Sequence, residues 1–364
     1  MNITLIAGAR PNFMKIAPII KAIKTAQKAG KEIAYRLVHT GQHYDKKMSG
    51  AFFDQLGIPD PDINLECGGG TQAEQTAAIM VKFEKELIAH RPDLVLVVGD
   101  VTSTMACTIT AKKLCVDMAH VEAGIRSGDM TMPEEINRIV TDSLCDYFFT
   151  TSEQANKQLK NNGAADKNIF LVGNTMIDTL LQNIDRIKKP DFWDEYNLKR
   201  DKYFLVTLHR PSNVDDPAKL ALILSAIEEA SMEFPIVFPV HPRTRQIIDN
   251  FKINKEKMLM IDAQGYLEFM YLIKNAKGII TDSGGITEEA TVLHIPCLTL
   301  RNSTERPETV TLGTNELIGD DINKLKPSLK KIIEGNWKKG TVPPFWDGRT
   351  SERIINILID TYTV

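Results

Sequence analysis

Short apolar runs alternate with helix-like segments along almost the whole chain, and this rhythm restricts the fold more than any single motif. Strand-like runs lie at 3–7, 36–39, 93–98, 118–121, 147–150, 169–172, 204–208, 236–240, 258–261, 278–281 and 297–300. Helix-like stretches lie between them, notably 72–89, 104–114, 136–144, 217–230, 244–251 and 267–275, with a last one at 351–362. Strands joined through helices pair in parallel, so the alternation predicts α/β architecture. Around 188–202 the pattern breaks into a polar, mixed segment, Lys188-Lys189-Pro190-Asp191-Phe192-Trp193-Asp194-Glu195-Tyr196, and restarts at Phe204. With 364 residues available, this predicts two doubly wound domains facing each other across a cleft, the chain changing over between about 172 and 202.

Composition narrows the function classes. A formal charge of −3 gives no reason to expect nucleic acid or an anionic membrane as a partner. No run approaches the roughly 18 apolar residues of a membrane-spanning helix, and the N-terminal run, too short for a signal peptide, reads as the first strand. The five cysteines, at 67, 107, 115, 145 and 297, form no CxxC pair and no Cys/His cluster. They read as reduced thiols of a cytoplasmic protein, and metal ligation is not expected.

Ile279-Ile280-Thr281-Asp282-Ser283-Gly284-Gly285-Ile286-Thr287-Glu288-Glu289-Ala290 reads as strand, tight turn and helix start. A helix start presents unpaired N–H groups and a positive dipole end, and paired glycines admit an anion to the backbone. Ser283 is placed to cap the helix or to donate to the anion, and Glu289 to take ribose hydroxyls. The same residues also suit an ordinary capped strand-to-helix connection.

Six strand ends carry polar groups of catalytic type: Arg10, Asp100, Glu122, His209-Arg210, His241 and Asp282-Ser283. Ligands of open α/β sheets sit just beyond the carboxyl ends of the strands, so the coincidence marks a site. Arg10 and Arg306 are bidentate-capable phosphate donors. Lys15, about a turn beyond Arg10, is either a cleft residue or a solvated lysine. Asp100, Glu122 and Glu134 are candidates for proton transfer. Pro133-Glu134-Glu135-Ile136-Asn137-Arg138 also suits plain helix stabilisation, with an i,i+4 Glu134/Arg138 pair that would equally hold a catalytic carboxylate. His209 reads as general acid, phosphate donor or core histidine. There is no GxxxxGK loop, no GxGxxG after the first strand and no GxSxG elbow, which removes support for a P-loop NTPase, a nicotinamide dehydrogenase or an α/β-hydrolase.

These motifs, in this order, resemble the non-hydrolysing UDP-N-acetylglucosamine 2-epimerases over essentially the whole chain. The resemblance rests on Gly8-Ala9-Arg10-Pro11 with Lys15, Gly41-Gln42-His43, Gly99-Asp100, Val121-Glu122-Ala123-Gly124-Ile125-Arg126 and the segment 133–138. It continues through Gly173-Asn174-Thr175, His209-Arg210, Pro239-Val240-His241-Pro242, the segment 281–290 and Thr304-Glu305-Arg306-Pro307-Glu308. It implies a GT-B-like pair of Rossmann-like domains, 1–172 and 173–350, with the terminal helix 351–364 returning to the first. It further implies a homodimer that uses neither NAD nor metal and makes precursors of surface polysaccharide.

Carried over by motif, Ser283, Gly284, Gly285 and Arg306 would contact phosphates or sugar, Glu289 the ribose, and Gln264 and Phe269 the uridine. Arg10, Lys15, Asp100, Glu122, Glu134, Arg138 and His209 would surround the sugar, with His241 among the substrate contacts. The implied reaction eliminates UDP to leave a 2-acetamidoglucal, then reprotonates C2 from the other face as UDP returns. Gln42, His43 and Arg210 match the family's activator site. Asp45 and Gly68-Gly69-Gly70 depart from that site's pattern, so activation by substrate is absent or built differently. The rival substrate is UDP-2,3-diacetamido-2,3-dideoxyglucuronate, whose enzymes tend to have Trp-Val where this chain has Arg306-Pro307. Three further activities compete with epimerisation: a hydrolysing epimerase, a glycosyltransferase of the same fold and a silent nucleotide-sugar sensor.

Overall fold

The structure is a computed structural model that describes residues 1–41, 53, 55–240, 242–249, 251 and 256–362. The chain divides into two compact units, Met1–Gln182 with Pro344–Val364, and Asn183–Pro343.

Among the described residues the first unit holds seven strands: β1 (Asn2–Ala7), β2 (Ala34–His39), β3 (Ile63–Asn64), β4 (Leu94–Val98), β5 (Asp117–Val121), β6 (Tyr147–Thr150) and β7 (Ile169–Leu171). They form one parallel sheet in the order 3-2-1-4-5-6-7. The run Leu-Val-Leu-Val-Val of β4 is buried along its length because helices cover both faces of a parallel sheet. Ile6, Val38, Val95, Val97 and Met118 pack with Phe83 and Leu87 of the helix Gln72–Ala89. That helix starts at a capping box, in which Glu74 N donates to Thr71 Oγ1 and Thr71 N to Glu74 Oε2.

The second unit repeats the plan with β8 (Phe204–Thr207), β9 (Ile236–Pro239), β10 (Met258–Ile261), β11 (Gly278–Thr281), β12 (Cys297–Thr299) and β13 (Asn315–Leu317). Its parallel order is 10-9-8-11-12-13, the dinucleotide-fold order of strands. Strand order reverses at β1/β4 in one unit and at β8/β11 in the other. A reversal splays the connections apart and leaves a crevice at the carboxyl end of the sheet, and each unit has one such place.

The unit divisions fall at 182/183 and 343/344, against expected boundaries of 172/173 and 350/351. Four hydrogen bonds place the intervening residues with the first unit. Thr179 Oγ1 donates to Met14 O at 2.5 Å, and Trp346 Nε1 donates to Thr151 O at 3.0 Å. Buried Asp178 accepts from Thr350 N at 3.0 Å and Ser351 N at 2.6 Å, capping the helix Thr350–Tyr362, which packs along the helix Arg10–Lys28.

Candidate active site

In the first unit the β1/β4 crevice is fastened by a residue the sequence did not single out. Buried Asn12 accepts from Gly8 N and Ala9 N at 3.2 and 2.9 Å, and its Nδ2 donates to Val98 O at 3.0 Å. It fixes the turn carrying Arg10 against the end of β4. One turn on, Lys15 Nζ donates to Glu122 Oε2 at 2.7 Å, and both side chains are buried or nearly so. Gly99, at φ +66°, opens the path, since a Cβ there would lie 2.8 Å from Lys15 Nζ. Glu122 itself sits at φ +71°, a left-handed conformation that a non-glycine residue keeps only where its surroundings enforce it.

The second carboxylate is held from the helix Pro133–Leu144. Arg138 Nη1 reaches Asp100 Oδ2 at 2.5 Å, and Asn137 Nδ2 donates to Asp100 O at 2.8 Å. The expected Glu134/Arg138 pair is replaced by one with Glu135, at 2.9 Å through Nε and 2.7 Å through Nη2. Glu135 also accepts from Ser127 N, Gly128 N and Ser127 Oγ. Burial pulls its carboxyl up, but the two amides and Arg138 pull it down further, leaving it below the usual range. The helix thus presents Glu135 to the loop before it, while Glu134 stays half-buried at the helix start.

Beneath this pair lies buried His120. Its Nε2 donates to Gly99 O at 2.8 Å, and its Nδ1 lies 2.7 Å from Asp142 Oδ1. Asp142 Oδ2 accepts from Gly124 N at 3.0 Å and Arg126 Nη1 at 2.6 Å. One carboxylate and one imidazole therefore join the loops after β4 and β5, which carry Asp100 and Glu122.

In the second unit the β8/β11 crevice is bridged by Asp282. This buried carboxylate accepts from His209 N at 3.1 Å, Arg210 N at 3.0 Å and Asn213 Nδ2 at 3.2 Å, and its Oδ1 lies 2.8 Å from His209 Nδ1. Burial raises the Asp282 carboxyl, and His209, the Arg210 amide and Asn213 bring it below the usual range. His209 is 62% exposed, so it is no core histidine: one ring nitrogen faces Asp282 and the rest of the ring faces outward.

Ser283 makes no side-chain cap to the helix Gly284–Val292. Gly284 and Gly285 are not required by the backbone, because neither has a positive φ and a Cβ at Gly285 would meet nothing within 4 Å. What they leave bare is the helix start, an anion-binding geometry. Around it stand several buried acids. Arg306 Nε donates to Glu288 Oε1, while burial and neighbouring Glu288 push the Glu289 carboxyl up to about 8. Burial pushes Glu308 up to about 7 against the pull of Arg306. Arg210 Nη2 lies 3.7 Å from Glu305 Oε1. Gln264, just before the N-cap Gly265, and Phe269, in the first turn of the helix Tyr266–Asn275, are half-buried, and Gln264 Nε2 donates to Asp262 O at 2.8 Å. His241, Gln42 and His43 lie outside the described residues.

Among the described residues no group of three His, Cys, Asp or Glu is placed to hold a metal ion, and no helix is long and apolar enough to cross a membrane. All five cysteines are free thiols.

A family model described as UDP-N-acetylglucosamine 2-epimerase matches residues 25–359. The UDP-N-acetylglucosamine 2-epimerase of Methanocaldococcus jannaschii is 42% identical over 372 residues, covering 98% of this chain and 99% of its own. A UDP-2,3-diacetamido-2,3-dideoxy-D-glucuronate 2-epimerase of Pseudomonas aeruginosa is 40% identical over 365 residues, covering 98% and 99%. The crystal structure of the Methanocaldococcus jannaschii enzyme in complex with UDP-GlcNAc and UDP matches with a TM-score of 0.86 at 42% identity, over 98% of this chain and 99% of that one. With two parallel α/β units and sequence likeness along nearly its full length, the chain belongs to the UDP-N-acetylglucosamine 2-epimerase family and has its GT-B-like fold.

Proposed function

We propose that the protein interconverts UDP-N-acetylglucosamine and UDP-N-acetylmannosamine by eliminating UDP, forming a 2-acetamidoglucal and adding UDP back. The observation that carries this reading is the pair of carboxylates at the carboxyl end of the first unit's sheet, Glu122 on Lys15 and Asp100 on Arg138. The C2 proton of the sugar is weakly acidic, so departure of UDP from C1 leads, through an oxocarbenium-like transition state. The bare helix start at Gly284 with Arg306 supplies fixed positive donors for the leaving diphosphate, and His209 a further hydrogen bond. Proton removal on one face and delivery on the other needs two groups, and reversibility makes each of them base in one direction and acid in the other. Glu134 is the third carboxylate of the set. Glu289 takes the ribose, Gln264 and Phe269 the uracil, and Arg10 and His241 complete the substrate contacts.

A second substrate is favoured by one observation, the 40% identity to the diacetamidoglucuronate enzyme. Parallel incubations with the two UDP-sugars, followed by proton NMR, separate them. Formation of the C2 epimer from UDP-N-acetylglucosamine supports the reading, and turnover of the glucuronate alone overturns it. The same proposal makes the protein a cytoplasmic homodimer serving surface polysaccharide synthesis, and light scattering on the purified protein measures the dimer.

A further inference from the structure

We propose that Arg301 is a diphosphate-binding residue of the second unit, its Nη1 kept for an oxygen anion at the start of the helix Gly284–Val292. This rests on the UDP-sugar reading above and adds a residue to it. Arg301 lies just beyond β12, whose Thr299 pairs with Thr281 of β11, so the chain leaving β12 runs beside Ser283 and Gly284. A Cβ on Gly284 would lie 3.7 Å from Arg301 Nη1 and 3.8 Å from Glu305 Oε2. Arg301 Nη2 donates to Glu305 Oε1 at 2.6 Å, and Arg301 with burial opposing it holds that carboxyl at about 2.

The side chain is 6% exposed, yet Nη1 is buried with no hydrogen-bond partner. A buried guanidinium N–H without an acceptor is costly, and folding retains one where an acceptor arrives with a ligand. The neighbouring helix start has no side-chain cap and two glycines that the backbone does not need, so its amides and Arg301 Nη1 are close enough to serve one anion. Arg306, the arginine that the motif pointed to, has its Nε turned to Glu288. Arg301 has the complementary arrangement: Glu305 fixes one guanidinium nitrogen and the other is left for phosphate, a division that the planar fork permits and a lysine does not.

Binding of UDP and of uridine to the full-length protein tests this, by calorimetry and ligand-observed NMR. R301M/E305Q removes both members of the ion pair, so no uncompensated buried charge remains. It is expected to weaken UDP by about 10- to 100-fold while uridine binding is unchanged. E305Q alone keeps Arg301 and an oxygen that accepts from its Nη2, and is expected to lose less UDP affinity than the double variant. Unchanged UDP affinity in the double variant, equal weakening of UDP and uridine, or the full loss in E305Q alone each overturns the proposal. Should the double variant not fold, R301K decides: weaker UDP with unchanged uridine supports the proposal, and unchanged UDP overturns it. Failure of the wild-type protein to bind UDP overturns the UDP-sugar reading itself.

Discussion

His209 and Asp282 show how a residue of catalytic type acquires its task from a partner on the next strand. β8 and β11 are neighbours, and their ends bring the imidazole within 2.8 Å of a carboxylate that also accepts two backbone amides. D282N keeps an oxygen for the amides but removes the charge that faces and orients the ring. It is expected to lower kcat by about 10- to 100-fold with KM for the UDP-sugar nearly unchanged, and to lower stability by about 1–2 kcal/mol. Steady-state rates beside a thermal melt check both. The sequence marked the residues at strand ends but not their pairings. Asp282 was visible at the end of its strand, yet its bond to His209 depends on sheet order. Arg138 chose Glu135 over Glu134 because Glu135 reaches back to the Ser127 and Gly128 amides, a loop conformation that spacing does not reveal. Asn12, His120 and Asp142 carry no motif signal of their own, since a buried polar residue is recognised by what it joins.

Elements were more legible, for a physical reason: runs such as β4 are apolar throughout, and capped helices such as Gln72–Ala89 show their start in the Thr71/Glu74 pair. The nine-residue helices Glu153–Asn161 and Thr175–Asn183 are not foreseen in the sequence, and the other elements not foreseen are short or punctuated. β3 has two residues and β13 three, too few to show alternation. The helix Leu325–Ile333 contains Pro327, which reads as a breaker although it lies within the first turn, where proline is tolerated. The glycines divide in the same way. Gly124 has φ +78° and a Cβ there would lie 2.4 Å from Ala155 O, so G124A is expected to cost about 3 kcal/mol or more in chemical denaturation. Gly285 lies at a helix start with open space around it, so G285A is expected to leave stability unchanged or raise it by up to about 1 kcal/mol. If Gly285 serves the ligand, the same variant binds UDP more weakly, and calorimetry on the folded variant reads that directly.

At the scale of the whole molecule, two repeats of one topology carry different polar groups at their strand ends: paired carboxylates in one unit, a bare helix start and its arginines in the other. The second unit's acids also set its response to pH. Glu289, raised from 4.5 to about 8 by burial and then by Glu288, keeps its proton in the fold where the unfolded chain has lost it. Its contribution to stability is complete below about pH 4.5, falls as pH rises and is gone above about 8, and Glu308 acts with the same sign up to about 7. Glu305, held at about 2, has the opposite sign and loses its contribution as pH falls from about 4.5 toward 2. E289Q is therefore expected to be more stable than wild type at pH 8.5, on the order of 1–3 kcal/mol, with the difference closing toward pH 5. Melting curves across that range give the answer.

The most direct test of the central claim is incubation of the protein with UDP-N-acetylglucosamine in D2O, followed by proton NMR. Epimerisation through proton exchange at C2 gives a UDP-N-acetylmannosamine pool and deuterium at C2. Unchanged, unlabelled substrate, or release of free sugar with UDP, would contradict it.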